Sequence, residues 1–243
     1  MPSRTQICQI VESILQGYAT PQEAWKGIYR ALLWYEEGVP HIVEANSLRR
    51  EAWRQRAKQV EVELARAFRC APNQVEKHLD QLMKHPSLQG LQRQNPLGIG
   101  FICAVAYLLR TWTPSRYTFL DEVPVGTQGR VFQDIARPPR RAIDIVALVD
   151  STEYAIVSVK WSIRHDRLRD LLDECRVYKD HRPKLKFLVV TNEFMPARLR
   201  RIIENPCVDK VFHINRDLLL RVNEGNGRLI GLKDLSELPR EFP

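Results

Sequence analysis

Ala142-Ile143-Asp144-Ile145-Val146-Ala147-Leu148-Val149, followed after Asp150-Ser151-Thr152-Glu153 by Tyr154-Ala155-Ile156-Val157-Ser158-Val159-Lys160, is the stretch that decides the fold. Both runs are short, rich in β-branched residues and separated by turn formers, the pattern of two paired strands. Period-two geometry puts Ser158 and Lys160 on one side of the second strand and Val157 and Val159 on the other. With Val149 opposite Glu153, Asp144 faces Ser158 directly and Lys160 diagonally. A carboxylate and an ammonium then meet at one end of a sheet.

Outward from this ribbon, further strands are expected at residues 117–120, 186–191 and 211–214, with helices at 166–179 and 196–204. Residues 97–112 are almost wholly apolar and too few to cross a membrane, so they read as a buried core helix. The order helix, three strands, helix, strand, helix, strand predicts an α/β protein with a mixed central β-sheet flanked by helices.

Residues 1–94 read as an all-helical N-terminal region. Thr20-Pro21-Gln22-Glu23 is a capping box with proline in the first turn, ahead of Trp25, Ile28, Leu32 and Leu33 at helical spacing. A basic helix is expected over 46–69 and a third over 73–84. The chain thus divides into 1–94, suited to oligomerisation and/or clasping a partner, and a core at 95–243.

The composition suits this reading. In 243 residues, 44% are apolar and 27% charged, enough for a real hydrophobic interior. No run nears the roughly 18 apolar residues of a membrane span. The first residues lack the basic and apolar regions of a secretory signal, so the expected location is cytoplasmic, with no membrane partner. Cys8, Cys70, Cys103, Cys175 and Cys207 are odd in number and far apart; they read as free, small buried side chains rather than as disulfides or zinc ligands. A net charge of +8 favours a polyanion, because basic side chains on DNA release condensed counterions. Arg137-Pro138-Pro139-Arg140-Arg141, a stiffened loop between the first two strands, carries arginines suited to phosphates.

Asp144 and Lys160 gain meaning from the residues downstream of them. Glu174 lies two helical turns beyond Arg167, while Leu168, Leu171, Leu172 and Cys175 form the apolar stripe of the same helix. Phosphodiester hydrolysis calls for a hard cation, and Mg²⁺ prefers a few carboxylate oxygens plus retained waters, so Asp144 and Glu174 are the candidate metal ligands. Lys160 completes the catalytic set by stabilising developing charge, with Ser158 in a supporting role. Arginine pairs bidentately with guanine and aspartate accepts from cytosine, so Arg164, Asp166 and Arg167 are candidate base readers for G·C pairs. Each of these residues alone is equally an ordinary surface charge; only their joint spacing points to a site.

This constellation resembles the PD-(D/E)xK nuclease superfamily, and within it the NgoMIV-like type II restriction endonucleases that read a CCGG core. In that branch Ser or Thr replaces the usual acidic residue before the lysine, and a glutamate on the next helix supplies the missing carboxylate. Ser158-Val159-Lys160 with Glu174 matches this, Arg164-His165-Asp166-Arg167 matches its R-x-D-R cluster, and Val189-Val190-Thr191-Asn192-Glu193 with Pro196-Ala197-Arg198-Leu199 is a family-like continuation. Ile143 departs from the proline often found before the metal aspartate. The family's further glutamate has no counterpart in residues 97–112, and Glu44, Glu51, Glu61 and Glu63 remain open candidates for it.

The resemblance implies a restriction-endonuclease-like core, Mg²⁺-dependent double-strand cleavage of DNA at a palindromic CCGG-core site, and a homodimer or homotetramer. It also implies a cognate cytosine methyltransferase in the same restriction-modification system. The alternatives are the same fold reading a CCNGG-like site, a non-catalytic DNA-binding protein, and a repair or recombination nuclease with no need of Arg164, Asp166 and Arg167.

Overall fold

The computed structural model describes residues 94–243 apart from 128, 140, 141, 162, 164, 194, 215 and 223–228, together with Thr5, Cys8, Gln9, Val11, Glu12, Gln16 and Ala71. The helices expected over 20–33, 46–69 and 73–84 lie outside the described residues, as do Glu44, Glu51, Glu61, Glu63, Arg140, Arg141 and Arg164. The chain forms two compact units, Met1–Ala104 and Val105–Pro243. No helix among the described residues is long and apolar enough to cross a membrane.

Helix α1 (Gln94–Trp112) carries the apolar run, and Phe101 to Ala106, Leu108 and Leu109 are buried, as its sequence requires. It is followed by strands β1 (Tyr117–Pro124), β2 (Ala142–Val149) and β3 (Thr152–Lys160), helix α2 (His165–His181), strand β4 (Lys186–Thr191), helix α3 (Pro196–Ile203) and strand β5 (Lys210–His213). Helix α4 (Arg216–Val222), strand β6 (Leu232–Asp234) and a 3₁₀ turn (Leu235–Glu241) complete the chain.

The six strands form one sheet in chain order. β1, β2 and β3 pair antiparallel, and β3, β4, β5 and β6 pair parallel. The expected mixed α/β sheet with flanking helices is the observed architecture. Ile145 to Ala147, Ala155 to Val159 and Phe187 to Thr191 are buried whichever way they point, the mark of central strands covered on both faces. That is why β2, β3 and β4 read as near-continuous apolar runs.

The β2–β3 turn differs from the expected one. Val149 pairs with Thr152, not Glu153, and Asp150 and Ser151 both take positive φ, at 49° and 64°, as a two-residue turn of this hand requires. One step inward the register shifts between Ala147 and Leu148, with Leu148 opposite Glu153 and Ala147 opposite Ala155. Tyr154 is the extra residue of this bulge. From there to Ile145 opposite Val157 the register is the expected one, which carries Asp144 to Ser158.

The cysteines correct a second expectation. Cys8 is bonded to Cys103, and Cys175 to Cys207, with Cα separations of 5.1 and 6.0 Å. Their spacings, 95 and 32 residues, match no local motif, so only the fold brings them together. Cys175 to Cys207 ties α2 to the loop after α3.

The β1–β2 connection is also pinned. Gly129 passes so close to Pro124 and Val125 that a Cβ would sit 2.4 Å from the Pro124 carbonyl oxygen. Further on, Phe132 N–H donates to Glu153 Oε1 (2.9 Å), and Arg182 donates to both oxygens of Asp134 at 2.8 Å. This loop, which carries Arg137, is therefore anchored to β3 and to the end of α2.

Candidate active site

The end of the β2–β3 ribbon assembles three of the expected residues. Asp144 Oδ2 accepts from Val159 N–H at 2.8 Å and from Ser158 Oγ at 3.4 Å, and Lys160 Nζ donates to the same oxygen. Lys160 Nζ also reaches the Val159 carbonyl at 3.4 Å. The side chains of Asp144 and Lys160 are 14% and 15% exposed, so the pair is shielded yet reachable from solvent. Ser158 is buried. Alternation along β3 thus does what the spacing predicts: Ser158 and Lys160 both turn to the strand face that Asp144 shares.

Across β2 in the other direction, Asp121 pairs with Ile145 and Val123 with Ile143. Between these pairs, across from Asp144, stands the exposed Glu122 with a φ of 45°. It is not among the residues expected from the sequence.

Glu174 is 1% exposed and lies on α2 beside the buried Leu168, Leu171, Cys175 and Tyr178. Leu172, expected in that stripe, is only half-buried. Glu174 is not a solvated helical carboxylate, and burial at this depth is costly for an ionised group unless donors or a cation attend it.

Whether these side chains suit a divalent cation turns on the donor set. Among the described residues no three Asp, Glu, His or Cys side chains gather into a cage, which excludes a closed site made of them alone. Magnesium asks for less, since it keeps several waters and takes one or two carboxylates. Among the described residues, all the donors to Asp144 use Oδ2. Oδ1 takes none of these bonds, and a carboxylate oxygen is a ligand type that Mg²⁺ accepts.

The expected base readers begin α2. Arg164 and the side chains of His165 and Asp166 lie outside the described residues. Arg167 is exposed and 3.9 Å from Asp170, one turn on. Such a surface pair is worth about 0–1 kcal/mol, too little to withhold the guanidinium from a ligand.

A second cluster, whose sequence reads only as a family-like continuation, stands at the end of β4. Glu193 is buried; its Oε2 accepts from Ile163 N–H (2.9 Å) and Arg198 Nη1 (3.2 Å), and its Oε1 from Met195 N–H (2.8 Å). Arg198 Nη1 also donates to the Ile163 carbonyl at 2.8 Å. The fully buried His213 puts Nε2 3.2 Å from the Glu193 carbonyl. The signal that would have found this cluster is the acidic residue two positions after an apolar strand, followed by Pro196 and an arginine.

No family model and no curated protein matches the chain. Among solved structures, it is similar to one titled "Restriction endonuclease PspGI-substrate DNA complex", with a TM-score of 0.51 and 12% identity over 100% of this chain and 92% of that one. This likeness establishes the restriction-endonuclease-like fold.

Proposed function

We propose that the protein is a type II restriction endonuclease that makes Mg²⁺-dependent double-strand cuts in DNA at a palindromic site with a CCGG core. The observation that carries the reading is the convergence of Lys160 Nζ, Ser158 Oγ and Val159 N–H on Asp144 Oδ2 at the end of the β2–β3 ribbon. Similarity to a restriction endonuclease solved with substrate DNA supports it, and so does the net charge of +8.

Asp144 and Glu174 would hold the Mg²⁺, which when bound neutralises the scissile phosphate and acidifies a water. Val159 N–H and Ser158 Oγ orient Asp144 through one oxygen. Lys160 brings a fixed positive charge to where the phosphate gains negative charge, an electrostatic contribution that needs no reorganisation. Arg164, Asp166 and Arg167 read G·C edges, and Arg137, with Arg140 and Arg141, meets the backbone. Residues 1–94 serve oligomerisation and/or clasp the DNA, in a homodimer or homotetramer whose twofold axis mirrors the site. A cytosine methyltransferase in the same system would protect the host sequence.

Plasmid DNA incubated with the protein and Mg²⁺ tests this. Discrete fragments whose sequenced ends derive from CCGG are expected. Ends derived from CCNGG would keep the enzyme and replace its site; random nicking, or binding without cutting, would remove the reading.

A further inference from the structure

Three hydrogen bonds hold the exit of β3, two of them from the exit of β4 and one from helix α3. Lys160 is in register with Thr191; Asn192 N–H then donates to the Trp161 carbonyl at 3.2 Å, and Ile163 N–H donates to Glu193 Oε2 at 2.9 Å. The third, from Arg198 Nη1 to the Ile163 carbonyl at 2.8 Å, takes the other polar group of the same peptide residue. Ile163 is 1% exposed, so its backbone groups have no water to fall back on. Glu193 and Arg198 also bond to each other, which makes the pair one charge-assisted unit gripping one residue from both sides.

Ile163 is the last residue before Arg164, and α2 begins at His165. Resting on the proposed reading of residues 164–167, we infer that Glu193 and Arg198 are positioning residues for base recognition: they fix the point from which the base-reading segment leaves the sheet. Arg198 therefore acts through Ile163 and not on a phosphate. A bidentate base contact tolerates little displacement, and an error on the order of 1 Å is worth roughly 100-fold in a positioned site. Thr191 braces the same unit, its Oγ1 accepting from Glu193 N–H at 3.1 Å.

The test uses the full chain, with Ca²⁺ in place of Mg²⁺ to prevent cutting. Equilibrium binding is measured over a salt series to a duplex bearing the site that wild type cuts and to a scrambled duplex. Arg198→Met keeps the apolar stem, and Glu193→Gln keeps the shape while removing the charge. For both, the specific-to-scrambled affinity ratio is expected to fall roughly 10- to 100-fold, with scrambled-duplex affinity and salt slope as in wild type. The double variant should be no worse than the weaker single one.

An unchanged ratio in a folded variant overturns the inference. So does a uniform loss on both duplexes with a salt slope lower by about one, the mark of a phosphate contact. If neither variant folds, the cluster serves stability and the inference fails. If wild type cuts no defined site, the proposed function itself fails and this inference goes with it, an outcome distinct from a discriminating wild type with equally discriminating variants.

Discussion

The two ends of the candidate site are held in different ways. At the β2–β3 ribbon, Asp144, Ser158, Val159 and Lys160 fix one another: among the described residues, the donors to the Asp144 carboxylate all come from the neighbouring strand. The segment leading into α2 is held from outside, by Glu193 and Arg198, and the helix is held again by the Cys175–Cys207 disulfide. One end of a sheet can assemble chemistry out of adjacent strands. A helix that must present residues to a ligand needs fixing by distant elements.

The largest effect that would break this contrast lies at the ribbon. Asp144→Ala and Lys160→Ala should each slow single-turnover cleavage by at least roughly 10²–10³-fold, the loss typical of removing one preorganised charge-stabilising group, while specific binding persists. Comparable loss of binding would mean the ribbon shapes recognition instead of chemistry. Next comes the Cys175–Cys207 disulfide: Cys175→Ser should cost about 2–4 kcal/mol of stability, read by chemical denaturation. An unchanged midpoint would remove the outside tether from α2.

Arg167→Ala should weaken specific binding by about 1–3 kcal/mol while sparing non-specific binding, measured by competition between the two duplexes. Equal loss on all sequences would make it a phosphate contact. The smallest effect concerns Asp134, which the Arg182 guanidinium holds below the ordinary carboxylate range. Its stabilisation is present above the unfolded value, near 3.9, and is lost as pH falls through the lowered folded value. Asp134→Asn should therefore lower the melting temperature by at most about 2 °C near neutrality. The gap from wild type should close in acid, and a gap that persists there would contradict the assignment.

The same contrast explains what was legible in the sequence. Ala142–Val149 and Lys186–Thr191 have the strand ends expected of them, because β-branched runs between turn formers leave little choice. The Asp144, Ser158 and Lys160 constellation was legible because alternation is a local rule. The expected turn pairing was one residue out, and the bulge at Tyr154 absorbed the error. β1 runs on to Pro124, past the point where Asp121 and Glu122 interrupt its pattern.

α4, β6 and the closing 3₁₀ turn, at seven, three and seven residues, are too short to show a period. Neither the disulfides nor the hold on Ile163 could be read, since the latter spans separations of 30 and 35 residues and uses backbone groups that leave no mark in composition.

The claim on which the rest depends is that Glu174, buried on α2, shares one divalent ion with Asp144. Glu174→Gln keeps the side chain's volume and removes its charge, so cleavage and specific binding measured side by side on this variant test the claim most directly. The account predicts cleavage lost in Mg²⁺ with specific binding retained. Cleavage at the wild-type rate would contradict it.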